Sequence, residues 1–417
     1  MSSKNKTATA KAEAKPALVP KLRFPAFRES DGWDVDALGT LATFVNEKTA
    51  LERVTVENYV STENMLPDYS GVAKASKLPT TGSVTRYRTH DTLVSNIRPY
   101  LKKVWVADKE GGASNDVIVI RAKERLLPQY FSWLLKNDAF IGYVMTGAKG
   151  VKMPRGDVDS MKAYPALYPS KAEQQKIADC LSSVDELMAA QARKVDMLKT
   201  HKKGLMQQLF PREGETQPRL RFPKFQNTGE WNKAKLGNHV KIQSGYSPSG
   251  FSLSSEGQYA FVKVEDLNNC IKYQVTGREF CNDSDGVVPT NSILFPKRGA
   301  AIELNKIRIT AAEILIDTNL MALTPKSGLQ VEFLYYYVSN IGLSHIADTS
   351  TIPQINNKHI IPFDLLLPEE AEQQRIASCL SSLDKLITAE TQKLEALKTD
   401  KKGLMQQLFP SPRESEA

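Results

Sequence analysis

Basic residues interleaved with aromatics and amides occur in two comparable places along this chain, and they set the chemistry it can do. The first group is Arg86 and Arg88 around Tyr87, Arg98 and Tyr100 around Pro99, Lys102 with Lys103, and then Lys149, Lys152 and Arg155. The second is Lys297, Arg298, Lys306, Arg308, Gln354, Asn356, Asn357 and Lys358. An arginine fork can bridge O6 and N7 of guanine, and an amide can pair with N6 and N7 of adenine. Lysine more often meets phosphate, which positions a protein on a duplex without reading it. Singly, each is an ordinary exposed charge. Their recurrence beside Pro and Gly turns makes a nucleic-acid surface the reading.

Catalytic chemistry finds no such support. The chain lacks the glycine-rich phosphate loops, the H-E-x-x-H zinc motif and the G-x-S-x-G nucleophile elbow. It contains no Pro-Pro dipeptide, so the Asn/Asp-Pro-Pro-aromatic motif of amino-methyltransferases is absent. Pro67-Asp68 could open a nuclease-type motif, but no Asp/Glu-x-Lys follows it in the same body. The histidines (His90, His201, His239, His345, His359) share no metal-ligand spacing. No metal or cofactor is expected on this chain.

Composition is compatible with a polyanionic partner. The 417 residues carry a net charge of +8, and the length suffices for two or three domains with proper cores. Cys180, Cys270, Cys281 and Cys379 form no C-x-x-C pair, which fits a reduced compartment better than a disulfide framework. The Lys- and Ala-rich residues 1–19 read as a disordered basic tail without a hydrophobic signal core, and the expectation is a cytoplasmic protein.

The elements that must position the basic groups are announced by an internal duplication. Residues 173–211 and 372–410 align without a gap at an offset of 199, with 26 of 39 positions identical. In the first copy Ile177, Leu181, Val184, Met188, Val195 and Leu198 step by fours and threes, and in the second Ile376, Leu380, Leu383, Ile387, Leu394 and Leu397 do the same. That is the heptad seam of a coiled coil, broken by polar residues at Gln191 and Glu390 and at Lys202 and Lys401. Each helix would be about 50–60 Å long, and the nearest partner for each seam is the other copy. Ser170 and Glu173 have the spacing of a capping box at the first helix N-terminus.

An opening motif is duplicated too: PKLRFPAF at Pro20 returns as PRLRFPKF at Pro218, with Trp33 and Trp231 following each. Between opening motif and helix lie two divergent bodies with many short β-type runs and one helical run apiece. The resulting division is a tail over 1–19, a body over 20–168, a helix over 169–211, a linker over 212–217, a second body over 218–367, a second helix over 368–410 and a tail over 411–417. The fold class is α+β: two mixed α/β bodies joined by two long helices, with an internal repeat.

These residues resemble the specificity subunit of type I restriction–modification systems, over essentially everything after residue 20. The likeness rests on the doubled EQQ[KR]IAxCLSS helix ending in KKGLMQQLFP and on the doubled LRFP. Within the bodies it rests on SNIRPYLKK at Ser95, KMPRG at Lys152 and LFPKRG at Leu294. The resemblance implies a non-catalytic subunit whose two target-recognition domains each read half of a split, asymmetric DNA site. It implies an antiparallel coiled coil with pseudo-twofold symmetry, acting as spacer and as dock for two methyltransferase subunits, to which restriction and translocation subunits can be added. S-adenosylmethionine, ATP and Mg²⁺ would then sit on the partner subunits. The basic tail is the one departure from the family pattern.

Two readings from other classes stay open at this point. A nuclease or methyltransferase with an unrecognised active site would cleave or methylate DNA alone. A structural coiled-coil tether would bind proteins and give no gel shift with duplex DNA.

Overall fold

A computed structural model describes residues 18–348 and 352–410. The tails expected over 1–19 and 411–417 lie outside the described residues, except for Leu18 and Val19. Leu18 is tied down: its carbonyl accepts the Trp33 N–H at 2.8 Å, and its side chain packs on the first core.

Both long helices form, Lys171–Leu209 and Glu370–Leu408, of 39 residues each. Each is shifted two residues toward the N-terminus relative to the repeat boundaries. Pro211 and Pro410 disfavour helical geometry at the phenylalanine before them, which ends each helix at leucine. Of the twelve apolar seam residues, Ile177, Leu181, Val195, Ile376 and Leu380 are buried and the other seven half-buried. Leu187, Met197 and Leu386, off the seam, are exposed.

The capping box forms by half. Ser170 Oγ accepts the Glu173 N–H at 3.4 Å, but the Glu173 carboxylate does not turn back to the backbone. It takes the Arg23 guanidinium at 2.9 and 2.8 Å instead. A charge-assisted fork outcompetes a single neutral N–H. Arg221 makes the same fork to Glu372 at 2.7 Å on both oxygens. The next residue works equally hard. The Gln174 side chain accepts the Leu127 N–H at 2.9 Å, while Gln373 accepts the Gln330 N–H at 2.9 Å. The duplicated LRFP and EQQ motifs are thus two sides of one joint.

The chain divides into two compact units that do not follow its two sequence halves: residues up to 191 with those from 393 on, and residues 192–392. In the first unit Phe409 stacks on Tyr130 at 5.6 Å and meets Trp33 edge-on at 6.1 Å. The Gln407 carbonyl there accepts the Leu22 N–H at 3.0 Å, and Lys401 pairs with Asp185 at 2.5 Å. In the second unit Phe210 packs among Trp231, Phe333 and Tyr337. The Gln208 carbonyl accepts the Leu220 N–H at 2.9 Å, Lys202 pairs with Asp384 at 2.5 Å, and Lys194 with Glu390 at 3.1 Å. Each helix end therefore closes a core, and burying each phenylalanine contributes about 1.5–3 kcal/mol.

Each body is built on a similar sheet. In the first, Ala42–Phe44, Val117–Ala122, Thr92–Ser95 and Val104–Val106 are neighbours in that order, all antiparallel. In the second the order is Val240–Ser244, Leu320–Pro325, Ile293–Pro296 and Arg308–Thr310, again antiparallel, with Tyr273–Gln274 added in parallel. A short antiparallel ribbon closes the base of each body: Asp34–Ala37 with Pro165–Tyr168, and Asn232–Lys235 with Asp364–Leu367. No helix among the described residues is long and apolar enough to cross a membrane.

Candidate nucleic-acid interface

In the first body the strand Thr92–Ser95 runs into a strap, residues 96–103, that holds two non-glycine residues in left-handed geometry. Arg98 has φ 51° and Lys102 φ 53°, a conformation that costs about 1–3 kcal/mol and is kept only when its surroundings enforce it. A second loop, residues 149–156, supplies the enforcement at Arg98. The Arg98 N–H donates to the Pro154 carbonyl at 2.8 Å, and the Gly156 N–H to the Asn96 carbonyl at 3.0 Å. Lys149 and Arg155 exchange backbone hydrogen bonds at 2.9 Å in both directions. A methyl group on Gly156 would sit 2.5 Å from Met161 Cε and 2.9 Å from Asn96 Oδ1, so a larger residue in this first crossing would require those side chains to move. The crossing leaves Arg98, Tyr100, Lys149, Lys152 and Arg155 exposed together. Arg155 pairs with Asp116 at 2.8 Å and Lys149 with Asp157 at 3.7 Å; such exposed pairs are weak and can be exchanged for phosphate.

The second body repeats the crossing with other side chains. The Gly299 N–H donates to the Pro353 carbonyl at 3.1 Å, and the Ile355 N–H to the Lys297 carbonyl at 3.0 Å. Arg298 bridges Gln354 as Ile97 bridges Arg155. This geometry matches Gly299 to Arg98, Arg298 to Ile97 and Gln354 to Arg155. Arg98 and Arg298 are therefore one position apart and are not counterparts. Burial, with Arg298 beside it, holds the half-buried Lys297 ammonium below the ordinary lysine value.

Other candidate residues stand elsewhere or are engaged internally. Arg86 and Arg88 belong to the neighbourhood of a different sheet, where both meet Glu47, at 3.1 and 3.2 Å. Hydrogen bonds that the Arg86 guanidinium donates to Glu110 and Glu47 hold it above its usual value. Lys102 pairs with Asp138 at 2.6 Å, and Lys103 donates to the Thr62 carbonyl at 2.7 Å. The Arg308 guanidinium is turned onto the Leu267 and Ile307 carbonyls. Asn356 caps the helical turn Asn357–Ile360 and is held in return by His359. Asn357 and Lys358 are exposed on that turn, and Lys306 is half-buried.

Reading the sequence for charge missed Met153 and Ile352. Each stands immediately before the proline whose carbonyl braces its strap, and each is exposed. The available signal was positional, since the two X-Pro pairs are separated by 199 residues, the offset of the long helices.

The family model for the type I restriction modification DNA specificity domain matches residues 228–399. The MjaX type I restriction enzyme specificity subunit assigned in Methanocaldococcus jannaschii is 25% identical over 298 residues, covering 69% of this chain and 68% of that protein. A chain of a type I R-M system, solved for its complex assembly and conformational transition, superposes with a TM-score of 0.62 at 20% identity, covering 91% of this chain and 98% of its own. The type I restriction-modification system S subunit from M. genitalium gives 0.57 at 17% identity, covering 94% and 99%. The two structural likenesses concern the fold.

Proposed function

We propose that this chain, which belongs to the type I restriction–modification specificity subunits, reads one asymmetric DNA site in two halves, one half-site per body. Subunits of this family are non-catalytic, so the chemistry falls to partners. The observation that carries the reading is the duplicated crossing. One braced scaffold presents Arg98 and Arg155 in the first body but Arg298 and Gln354 in the second. Arginine and glutamine favour different bases, which suits two unlike half-sites.

The helices serve as spacer. Within the second unit the pairs Lys194–Glu390 and Lys202–Asp384 advance along one helix while retreating along the other. That order supports an antiparallel coiled coil, and Lys401–Asp185, the repeat equivalent of Lys202–Asp384, supports pseudo-twofold symmetry. Two methyltransferase subunits dock on the outward helix faces, where Leu187 and its repeat equivalent Leu386 are exposed, because like surfaces bind like partners. S-adenosylmethionine belongs to those subunits; ATP and Mg²⁺ belong to added translocating endonuclease subunits.

Mapping N6-methyladenine in cells that express this chain with its methyltransferase tests the proposal. A gapped, two-part motif is the expected result, and native mass spectrometry of the complex should give two methyltransferases per chain. A continuous motif, or methylation unchanged without this chain, would refute the function.

A further inference from the structure

The two bodies have diverged, yet one apolar feature persists on the face assigned to DNA. Met153 is 56% exposed and Ile352 62% exposed, and Val151 beside the first is fully open to solvent. A lone exposed apolar side chain is ordinary. Here the same point of the same crossing is apolar twice, although the next positions have changed from Arg155 to Gln354 and from Gly156 to Ile355.

The mounting is stiff in both cases. A residue before proline is confined to extended geometry. The Pro154 and Pro353 carbonyls are in turn fixed by the strap N–H groups of Arg98 and Gly299, at 2.8 and 3.1 Å. Cations flank the site: Lys152 and Arg155 are exposed beside Met153, and Arg298 is exposed on the strap that crosses next to Ile352. A braced apolar tip between cations matches what unstacking a duplex requires. The apolar group replaces a base neighbour, and the cations hold the phosphates on either side.

We propose that Met153 and Ile352 are wedges, each entering a base step of its own half-site and unstacking it. The inference rests on the DNA-reading function proposed above and adds a step to it. A base can be modified only once it has left the stack. A wedge at a neighbouring step lowers the work that the partner methyltransferase must do to extrude its adenine. Met153 and Ile352 are positioning residues in this scheme, since the modified atom is reached by the partner.

The test uses the full chain in complex with its methyltransferase, on duplexes of the mapped motif. 2-Aminopurine is placed in turn at each half-site position other than the methylated adenine. Fluorescence should rise at one step of the first half-site with the wild-type chain and with Met153→Leu, and fall to the free-duplex level with Met153→Ser. Ile352→Ser should silence the second half-site and leave the first unchanged. A complex that binds its motif with no rise at any position overturns the wedge alone, as does a rise that survives Met153→Ser. A complex that prefers no motif overturns the DNA-reading function, and the wedge with it.

Discussion

Arg23 sits inside the first unit with its guanidinium on Glu173 at 2.9 and 2.8 Å and on the Ser30 and Asp31 carbonyls at 2.8 Å each. Four of its five N–H donors are used in these bonds, which compensates the burial of the ion. Glu173 in return holds the Arg23 guanidinium above its usual value, mainly through that fork. Removing one partner strands the other, so Arg23→Ala should destabilise by about 3–5 kcal/mol, read as a lower denaturant midpoint. The double replacement Arg23→Met with Glu173→Leu should cost much less; an equal loss would mean that shape matters more than charge. The motifs that make this joint were legible as duplicates. Their pairing across 150 residues was not, because a local capping box explained the same glutamate. A second charge has the opposite sign of effect. Lys136 lies over the Trp133 ring at 4.6 Å. Burial pushes its ammonium down to about 8, Asp185 opposes this and Lys401 adds to it. The fold thus favours the neutral amine, and the cost is fully present below pH 8 and fades as pH rises from there toward the ordinary lysine value. Lys136→Met should raise stability at pH 7, by at most about 3 kcal/mol, and by less at pH 10. An equal gain at both pH values would assign the effect to packing.

The two long helices were the most legible elements, because a seam sustained over five heptads leaves little freedom in how a helix can be buried. Their polar breaks were less so. Lys202 and Lys401 interrupt the apolar pattern without weakening it, since each pairs with a carboxylate, Asp384 or Asp185, and lies over an aromatic ring, Tyr336 or Trp133. Periodicity locates such a residue but does not name its partner. As a spacer, the pair should set the distance between half-sites. Adding seven residues after Leu198 and after Leu397 keeps the heptad register and lengthens each helix by about 10 Å. That equals about three base pairs at ~3.4 Å rise. The added twist turns the second groove away from its body, so lower activity alone decides nothing. The informative result is the methylated motif that survives. A wider gap supports the ruler, and retention of the original gap would show that the helices do not set it.

At the scale of the whole molecule, the compact units cut across the sequence repeat: residues 393–410 complete the first body, and residues 192–209 serve the second. A search for repeats finds two halves and assigns each its own helix. It misses the exchange, because Phe210 and Phe409 look like repeat endings until the cores they enter are known. The exchange yields a prediction. A fragment ending at Pro211 keeps the first body but lacks residues 393–410, and with them Phe409 against Trp33 and the Gln407 carbonyl that receives Leu22. Its own residues 194–211 match 393–410 at 14 of 18 positions, including the entire KKGLMQQLFP. One copy can therefore supply Phe210 and Gln208 to the other and receive the same in return, in an isologous dimer. The fragment should dimerise in sedimentation experiments and, with the methyltransferase, mark a palindrome made of the first half-site twice. Phe210→Ala in the fragment should disrupt the dimer, since truncating a buried phenylalanine costs about 3–5 kcal/mol. A fragment that stays monomeric and folded, or that still marks the asymmetric motif, would show that each body is complete without the exchanged helix end.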